Sequence, residues 1–173
     1  AGQKGAGNDV FDRPTGIAFA TNGDIFISEG HAPDFGNSRI VKFDKNGNYV
    51  KAWGSEGKDP GQFGGIVHCV AVDAKARRVY ACDSGNQRIQ VFDDNGTFLN
   101  QWAVPNASHI IVTQDQSVWV ISTGMAGRIE KHDREGKLLT YWGTPGTLPG
   151  GFNNAHDFSV DSDGNLYIVQ AQN

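Results

Sequence analysis

The chain has 173 residues, and 15 Lys and Arg against 19 Asp and Glu give a formal net charge of −4. That balance, with no basic run, excludes an electrostatic groove for nucleic acid, and the absence of any apolar stretch of about 18 residues excludes a membrane-spanning helix. Glycine is abundant, 23 residues, and methionine is single, so many tight turns and few helices are expected. No charged segment followed by an apolar one marks an uncleaved signal peptide. The missing initiator Met is expected of a processed chain or an excised piece.

Taken in order, the first strand pair is Thr15–Ala20 and Asp24–Ser28 around the turn Thr21-Asn22-Gly23. It is followed by Arg39-Ile40-Val41-Lys42-Phe43-Asp44, a turn glycine at Gly47, and a run to Trp53. A second unit repeats the plan. His68–Asp73 and Arg78–Cys82 flank Ala74–Arg77, and Arg88-Ile89-Gln90-Val91-Phe92-Asp93 leads through Gly96 to Trp102. In the third, His109 to Ser122 reads as a hairpin around Gln114-Asp115-Gln116. Arg128-Ile129-Glu130-Lys131-His132-Asp133 then leads through Gly136 to Trp142. A fourth unit has only Asp157–Asp161 and Asn165–Val169 around Ser162-Asp163-Gly164. Between units, all three landmarks shift together by 49 and then by 40 residues.

Short β-branched and aromatic runs separated by Asn-Gly or Asp-Gly predict antiparallel hairpins. Four such strands in about 40–45 residues is the plan of a propeller blade. The chain is therefore expected to be all-β, a propeller segment of about three and a half four-stranded blades. The repeats run approximately over 13–53, 66–102, 107–142 and, incomplete, 154–173. One small sheet cannot bury both faces without neighbours. The open faces and edges at the two ends predict that missing blades or a second chain close the ring.

The string Pro14-Thr15-Gly16-Ile17-Ala18-Phe19, Asn37-Ser38-Arg39-Ile40-Val41-Lys42-Phe43, Trp53-Gly54 and Pro60-Gly61-Gln62-Phe63 resembles the NHL-repeat β-propellers. Within that family the order of variants looks most like the peptidyl-hydroxyglycine amidating lyase branch. The resemblance implies a six-bladed ring of which this chain supplies blades three to six. It also implies cleavage of a peptidyl-α-hydroxyglycine to an amidated peptide and glyoxylate, a zinc held by three histidines, and a structural calcium. By the same resemblance His68 and His156 are zinc ligands and Asp157 is a calcium ligand, while the third histidine and a catalytic Arg belong upstream of Ala1. The pattern departs at three places. Glu29-Gly30 leads into His31 and an expanded loop, Ala32 to Phe35, where the lyases have Tyr; Ser84 stands for Arg; and Asn154 stands for Met. These departures favour a propeller scaffold that binds a small molecule, peptide or protein at its face, with a divalent metal in its channel. A zinc-dependent lyase is the alternative.

The residues bear on the metal reading apart from the resemblance, though two histidines alone make a weak site. Zinc takes neutral imidazoles or thiolates, with catalytic sites leaving one position to water. His68 and His156 both open an innermost strand, two repeats apart, and so converge on a central channel; otherwise each simply bonds backbone at the channel mouth. His109 reads as a channel-lining or satisfied histidine, because counting back from Val118 aligns Ser108 with His156. His132, in the slot of the repeat's Phe, is expected on the surface. His31 borders the mouth and is the candidate catalytic residue, with loop variation as the plain explanation. Asp157 offers calcium one carboxylate where six to eight oxygens are needed. The acidic turns at Asp93 and Asp161 read as turn chemistry. If Asp73 pairs with Arg78, Cys69 lies opposite Cys82, so the two are either bridged or a pair of buried thiols. A bridge points to a secreted or periplasmic protein. Trp53, Trp102 and Trp142 are expected to pack between blades. No Gly-x-Ser-x-Gly elbow or phosphate-binding loop is present.

Overall fold

The computed structural model describes residues 3–31, 34, 36–125 and 127–171. Three four-stranded sheets follow one another. The first holds β1 (Pro14–Phe19), β2 (Ile25–Glu29), β3 (Arg39–Phe43) and β4 (Tyr49–Trp53). The second holds β5 (Val67–Asp73), β6 (Arg78–Asp83), β7 (Arg88–Asp93) and β8 (Phe98–Ala103). The third holds β9 (Ala107–Val112), β10 (Val118–Ser122), β11 (Arg128–His132) and β12 (Leu138–Trp142). A two-residue parallel clip, β13 (Thr144–Pro145) with β14 (Gly151–Phe152), leads to the pair β15 (Ala155–Val160) and β16 (Leu166–Gln170). Every larger sheet is an antiparallel meander in chain order. The opening strands pack in series, β1 on β5, β5 on β9 and β9 on β15, and thereby form the hub of a propeller. Among the described residues helix is confined to two short 3₁₀ turns, Ser84–Asn86 and Thr123–Met125, placed alike after β6 and β10.

Alternating side chains of each sheet fill the two flanking layers. Phe26, Ile40, Phe63 and Phe92 lie in the layer between the first and second sheets. Tyr80, Ile89, Ile110 and Val118 lie between the second and third, and Ile121, Ile129 and Phe158 meet the last pair. Each such side chain, fully buried, contributes about 1.5–3 kcal/mol.

The recurring Gly and Trp form a key between blades. A Cβ at Gly96 would lie 2.6 Å from the Trp53 ring, and one at Gly136 would lie 2.4 Å from the Trp102 ring. Both glycines also hold positive φ, +80° and +88°. The two tryptophans therefore pack between blades as the repeat predicts. Trp142 differs: it is 36% exposed and lies edge-on to Trp119 at 4.9 Å. In the first two blades the repeated Arg pins the connector preceding its own blade, whereas Arg128 binds Glu130 and lies over the Tyr141 ring. Arg88 binds Asp83 at 2.7 Å and the carbonyls of Lys58, Asp59 and Gln62. Arg39 likewise binds Glu29 and the carbonyls of Ala6, Gly7 and Val10.

One expectation is overturned. His132 is buried, 3% exposed, and not a surface residue. Its ring takes the place of Phe43 and Phe92 and faces Trp102 at 5.8 Å. Nδ1 donates to the Gly136 carbonyl at 3.1 Å and Nε2 meets Glu130 at 2.9 Å. The second partner occupies the repeat position of Gln90, so two polar substitutions compensate each other inside the layer. At the ends, Phe19 is 65% and Val169 61% exposed. These are the open faces expected of a propeller segment.

Candidate metal centre

The hub strands share a local irregularity that builds the site. In β1 the pairing passes from Pro14↔Glu29 to Gly16↔Ser28, leaving Thr15 as an extra residue. Ser108 is the extra residue in β9, between Ala107↔Ser122 and His109↔Ile121. In β15 it is His156, between Ala155↔Gln170 and Asp157↔Val169. The β5 pairing jumps from Val67↔Asp83 to Val70↔Ala81. A disulfide joins Cys69 to Cys82 there, with Cα atoms 5.0 Å apart, so His68 is the extra residue. β-Bulges bend a strand and re-aim a side chain, often beside functional sites. Thr15, His68, Ser108 and His156 thus occupy equivalent places at one end of the hub.

The bulges bring His68 and His156 together, with ring centres 5.2 Å apart. His31 stands 5.4 Å from His68. Its position follows from the end of β2. The Gly30 amide donates to the Arg13 carbonyl at 3.1 Å, and the Gly30 carbonyl accepts from the Val67 amide at 3.0 Å. Strand β2 is thereby tied to the start of β5 immediately beside His31. The loop residues Ala32, Pro33 and Phe35, noted in the sequence, lie outside the described residues.

His68 is held by a backbone hydrogen bond. Its Nδ1 lies 2.8 Å from the Ser108 carbonyl. A carbonyl only accepts, so the proton sits on Nδ1 and the Nε2 lone pair is bare, the arrangement that orients metal-binding histidines. Burial pushes the His68 imidazole below its ordinary range. The Ser108 bond opposes that fall, and the neighbouring His156, His31 and His109 rings add to it. His68 is accordingly neutral at pH 7. The three rings line a cavity of about 210 Å³ together with Ser84, Ser108 and Asn154. Ser108 is 6% exposed, and its Oγ is buried without a hydrogen-bond partner.

The donor set fits zinc. Two imidazoles on one tetrahedral zinc, with Zn–N of about 2.0–2.1 Å, place their ring centres roughly 5 Å apart, close to both observed separations. As the side chains stand, no group of three or more His, Cys, Asp or Glu among the described residues is gathered tightly enough to hold an ion.

His109 and Asp157, each one residue past a bulge, pair across neighbouring blades, with Nδ1 and Oδ1 3.0 Å apart. Burial pushes His109 below the ordinary imidazole range, against the opposing effect of Asp157. Asp157 also accepts from the Phe158 amide at 2.6 Å. This pair heads a larger groove of about 1050 Å³ between the third sheet and the β15–β16 pair, walled by Trp119, Trp142, Phe158 and Leu166. The groove is the open space between two blades, whereas the imidazoles converge in the smaller cavity. Sequence reasoning placed His68 and His156 at the start of innermost strands and aligned Ser108 with His156. It missed the roles of the Ser108 carbonyl and hydroxyl, for which the extra residue in each opening strand was the available signal.

Meander sheets radiating from contacting first strands define a segment of a β-propeller. Residues 66–92 match the NHL repeat. It is 36% identical over 75 residues to the peptidylglycine alpha-amidating monooxygenase of Rattus norvegicus, a match covering 40% of this chain and 7% of that protein. Among solved structures it is similar to the hydrazine synthase of Kuenenia stuttgartiensis, with TM-score 0.71 and 14% identity over 97% of this chain and 45% of the other. It is also similar to a virginiamycin B lyase from Staphylococcus aureus solved with quinupristin, with TM-score 0.65 and 16% identity over 91% of this chain and 48% of the other. The chain thus spans a small part of the curated relative and just under half of these structures.

Proposed function

We propose that this propeller segment holds a divalent metal, zinc by its donor chemistry, at the mouth of the hub, and binds a small molecule or peptide there. The observation that carries this reading is the His68 ring, locked by the Ser108 carbonyl with Nε2 bare, 5.2 Å from His156. His68 and His156 would hold the metal. A bound zinc would polarise a ligand oxygen or acidify a water. The chain's own contribution is to keep His68 neutral, to aim both rings with the bulges, and to offer the unpartnered Ser108 Oγ to an oxygen of the ligand. Calcium finds weaker support, because Asp157 already pairs with His109. The buried Cys69–Cys82 bridge supports an exported protein.

Metal analysis after dialysis against trace zinc tests the reading. About one equivalent is expected, with most of it lost in His68→Ala and in His156→Ala. Zinc absent from the wild-type chain, or retained by both variants, would contradict it.

The local likeness to the rat protein favours one specific second reading, an amidating lyase-like activity. Against it stand His31 and Ser84, where the lyase resemblance calls for Tyr and Arg. Release of glyoxylate from a peptidyl-α-hydroxyglycine would establish this activity, and its absence in the zinc-loaded protein would leave the binding role. Propellers host many functions on one frame, so the fold alone does not choose.

A further inference from the structure

We infer that Asn95 is the acceptor of an N-linked oligosaccharide, carried on the second blade at the end away from the hub mouth. The inference rests on the exported reading of the Cys69–Cys82 bridge above, because such glycans are placed on exported chains. Two Asn-x-Ser/Thr sequences are present, Asn95-Gly96-Thr97 and Asn106-Ala107-Ser108. The pattern suits an acceptor where it lies on a surface loop, and the structure separates the two on that ground.

Asn95 stands in the turn from β7 to β8, and three further turns of the chain are built alike. In each, the Oδ1 of an opening Asp accepts from the amides two and four residues on. Asp44 takes those of Asn46 and Asn48, and Asp93 those of Asn95 and Thr97. Asp133 takes those of Glu135 and Lys137, and Asp161 those of Asp163 and Asn165. A glycine at positive φ follows the third residue in every case, and that third residue is exposed in all four. Glu135 and Asp163 fill the place of Asn95, and Lys137 fills the place of Thr97. Turn chemistry therefore requires neither the Asn nor the Thr. The carboxamides of Asn48 and Asn165 bond the Asp of their own turns, whereas among the described residues no hydrogen bond engages the Asn95 carboxamide; Lys51 Nζ reaches only its backbone carbonyl.

Asn106 is engaged instead. Its Oδ1 accepts from Gln87 Nε2 at 2.7 Å, its amide donates to Gln87 Oε1 at 3.1 Å, and Ala107 and Ser108 after it are buried. It also lines the hub cavity, where a sugar would obstruct the mouth. The Asn95 turn lies clear of that cavity. Strand β7 starts just beyond Ser84–Asn86, whose Ser84 lines the cavity, and its six residues carry the chain roughly 17–20 Å further to the turn.

The step joins Asn95 Nδ2 to the anomeric carbon of an oligosaccharide carried on a polyprenyl pyrophosphate. The bond from that carbon to the pyrophosphate oxygen breaks, the lipid pyrophosphate leaves with the electron pair, and one Nδ2 proton passes to a base of the transferase. Nothing is oxidised or reduced.

The protein purified from the cells that make it tests the assignment. Intact mass is measured before and after a peptide N-glycosidase, with free thiols alkylated in the absence of reductant. A mass above that of the polypeptide should fall on treatment, and sequencing of the glycopeptide should place the sugar on Asn95. Asn95→Gln, and Thr97→Lys, which copies the turn at Lys137, should each lose the whole increment and remain folded. Asn106→Gln should keep it. A bare Asn95 in a chain bridged at Cys69–Cys82, a glycan on Asn106 alone, or an increment retained in both turn variants would overturn this inference and leave the exported reading standing. Bare Asn95 together with free thiols at Cys69 and Cys82, in protein recovered from inside the cells, would overturn both.

Discussion

His68 of the second blade donates its Nδ1 proton to the backbone carbonyl of Ser108 in the third, across 2.8 Å. Both are the extra residues of their β-bulges, so one irregularity of the hub strands supplies the acceptor and another the donor. The bond holds the ring in the tautomer that free histidine populates less. Nitrogen-detected NMR of the metal-free protein at neutral pH should show His68 protonated on Nδ1 and bare on Nε2. A ring protonated on Nε2 would mean that it is not presented to the cavity as described.

The Trp–Gly key predicts a contrast between two turns of the same repeat. Gly136→Val drives a Cβ into the Trp102 ring and strains a residue at φ +88°. A loss of about 2–4 kcal/mol in denaturant unfolding is expected. Gly47→Val, at φ +81° with nothing within 4 Å of its Cβ, should cost only the backbone strain, about 1–2 kcal/mol. Equal losses at the two positions would remove the key as a source of inter-blade stability.

The Cys69–Cys82 bridge spans a sequence separation of 13 and lies within a buried layer. Closing a loop of that size constrains the unfolded chain by about 3 kcal/mol. Unfolding in denaturant with and without reductant, and of the Cys69→Ala/Cys82→Ala double variant, should show a loss of about 2–4 kcal/mol. Unchanged midpoints under reduction would show that the thiols are not bridged in the folded protein.

Acid should weaken the third blade through Glu130. Burial by itself would raise this carboxyl, but hydrogen bonds from His132 and Arg128 outweigh it and hold the group below the usual carboxylate range. A folded value below the unfolded one gives a contribution that is complete above about pH 4.3 and lost as pH falls through the folded value. Glu130→Gln should therefore lower stability at neutral pH by about 1–3 kcal/mol and flatten its decline below about pH 4.3. An unchanged acid slope would assign the acid sensitivity to other carboxylates.

The fold was readable because its signals are redundant. Arg39, Arg88 and Arg128, the three turn glycines and the three tryptophans keep one spacing; Arg39 and Arg88 pin connectors and Gly96 and Gly136 receive Trp53 and Trp102, while Arg128, Gly47 and Trp142 keep the position without that contact. The site was half readable. His68 and His156 stand where strands open, but a bulge is one extra residue and changes neither composition nor alternation, so the way both rings are aimed appeared only in the register. The place of His31 depends on a hydrogen bond from the Val67 amide to the Gly30 carbonyl between separate blades, which no local pattern encodes. His132 was misplaced because a histidine in an aromatic slot reads as polar until its partner, two residues earlier on the same strand, is seen beneath it.

The most direct test of the account is anomalous diffraction at the zinc edge from crystals of the protein grown with zinc. The account predicts one strong peak in the hub-mouth cavity, about 2.0–2.1 Å from Nε2 of His68 and from a ring nitrogen of His156. A cavity without a peak, or zinc bound only at surface carboxylates, would contradict it.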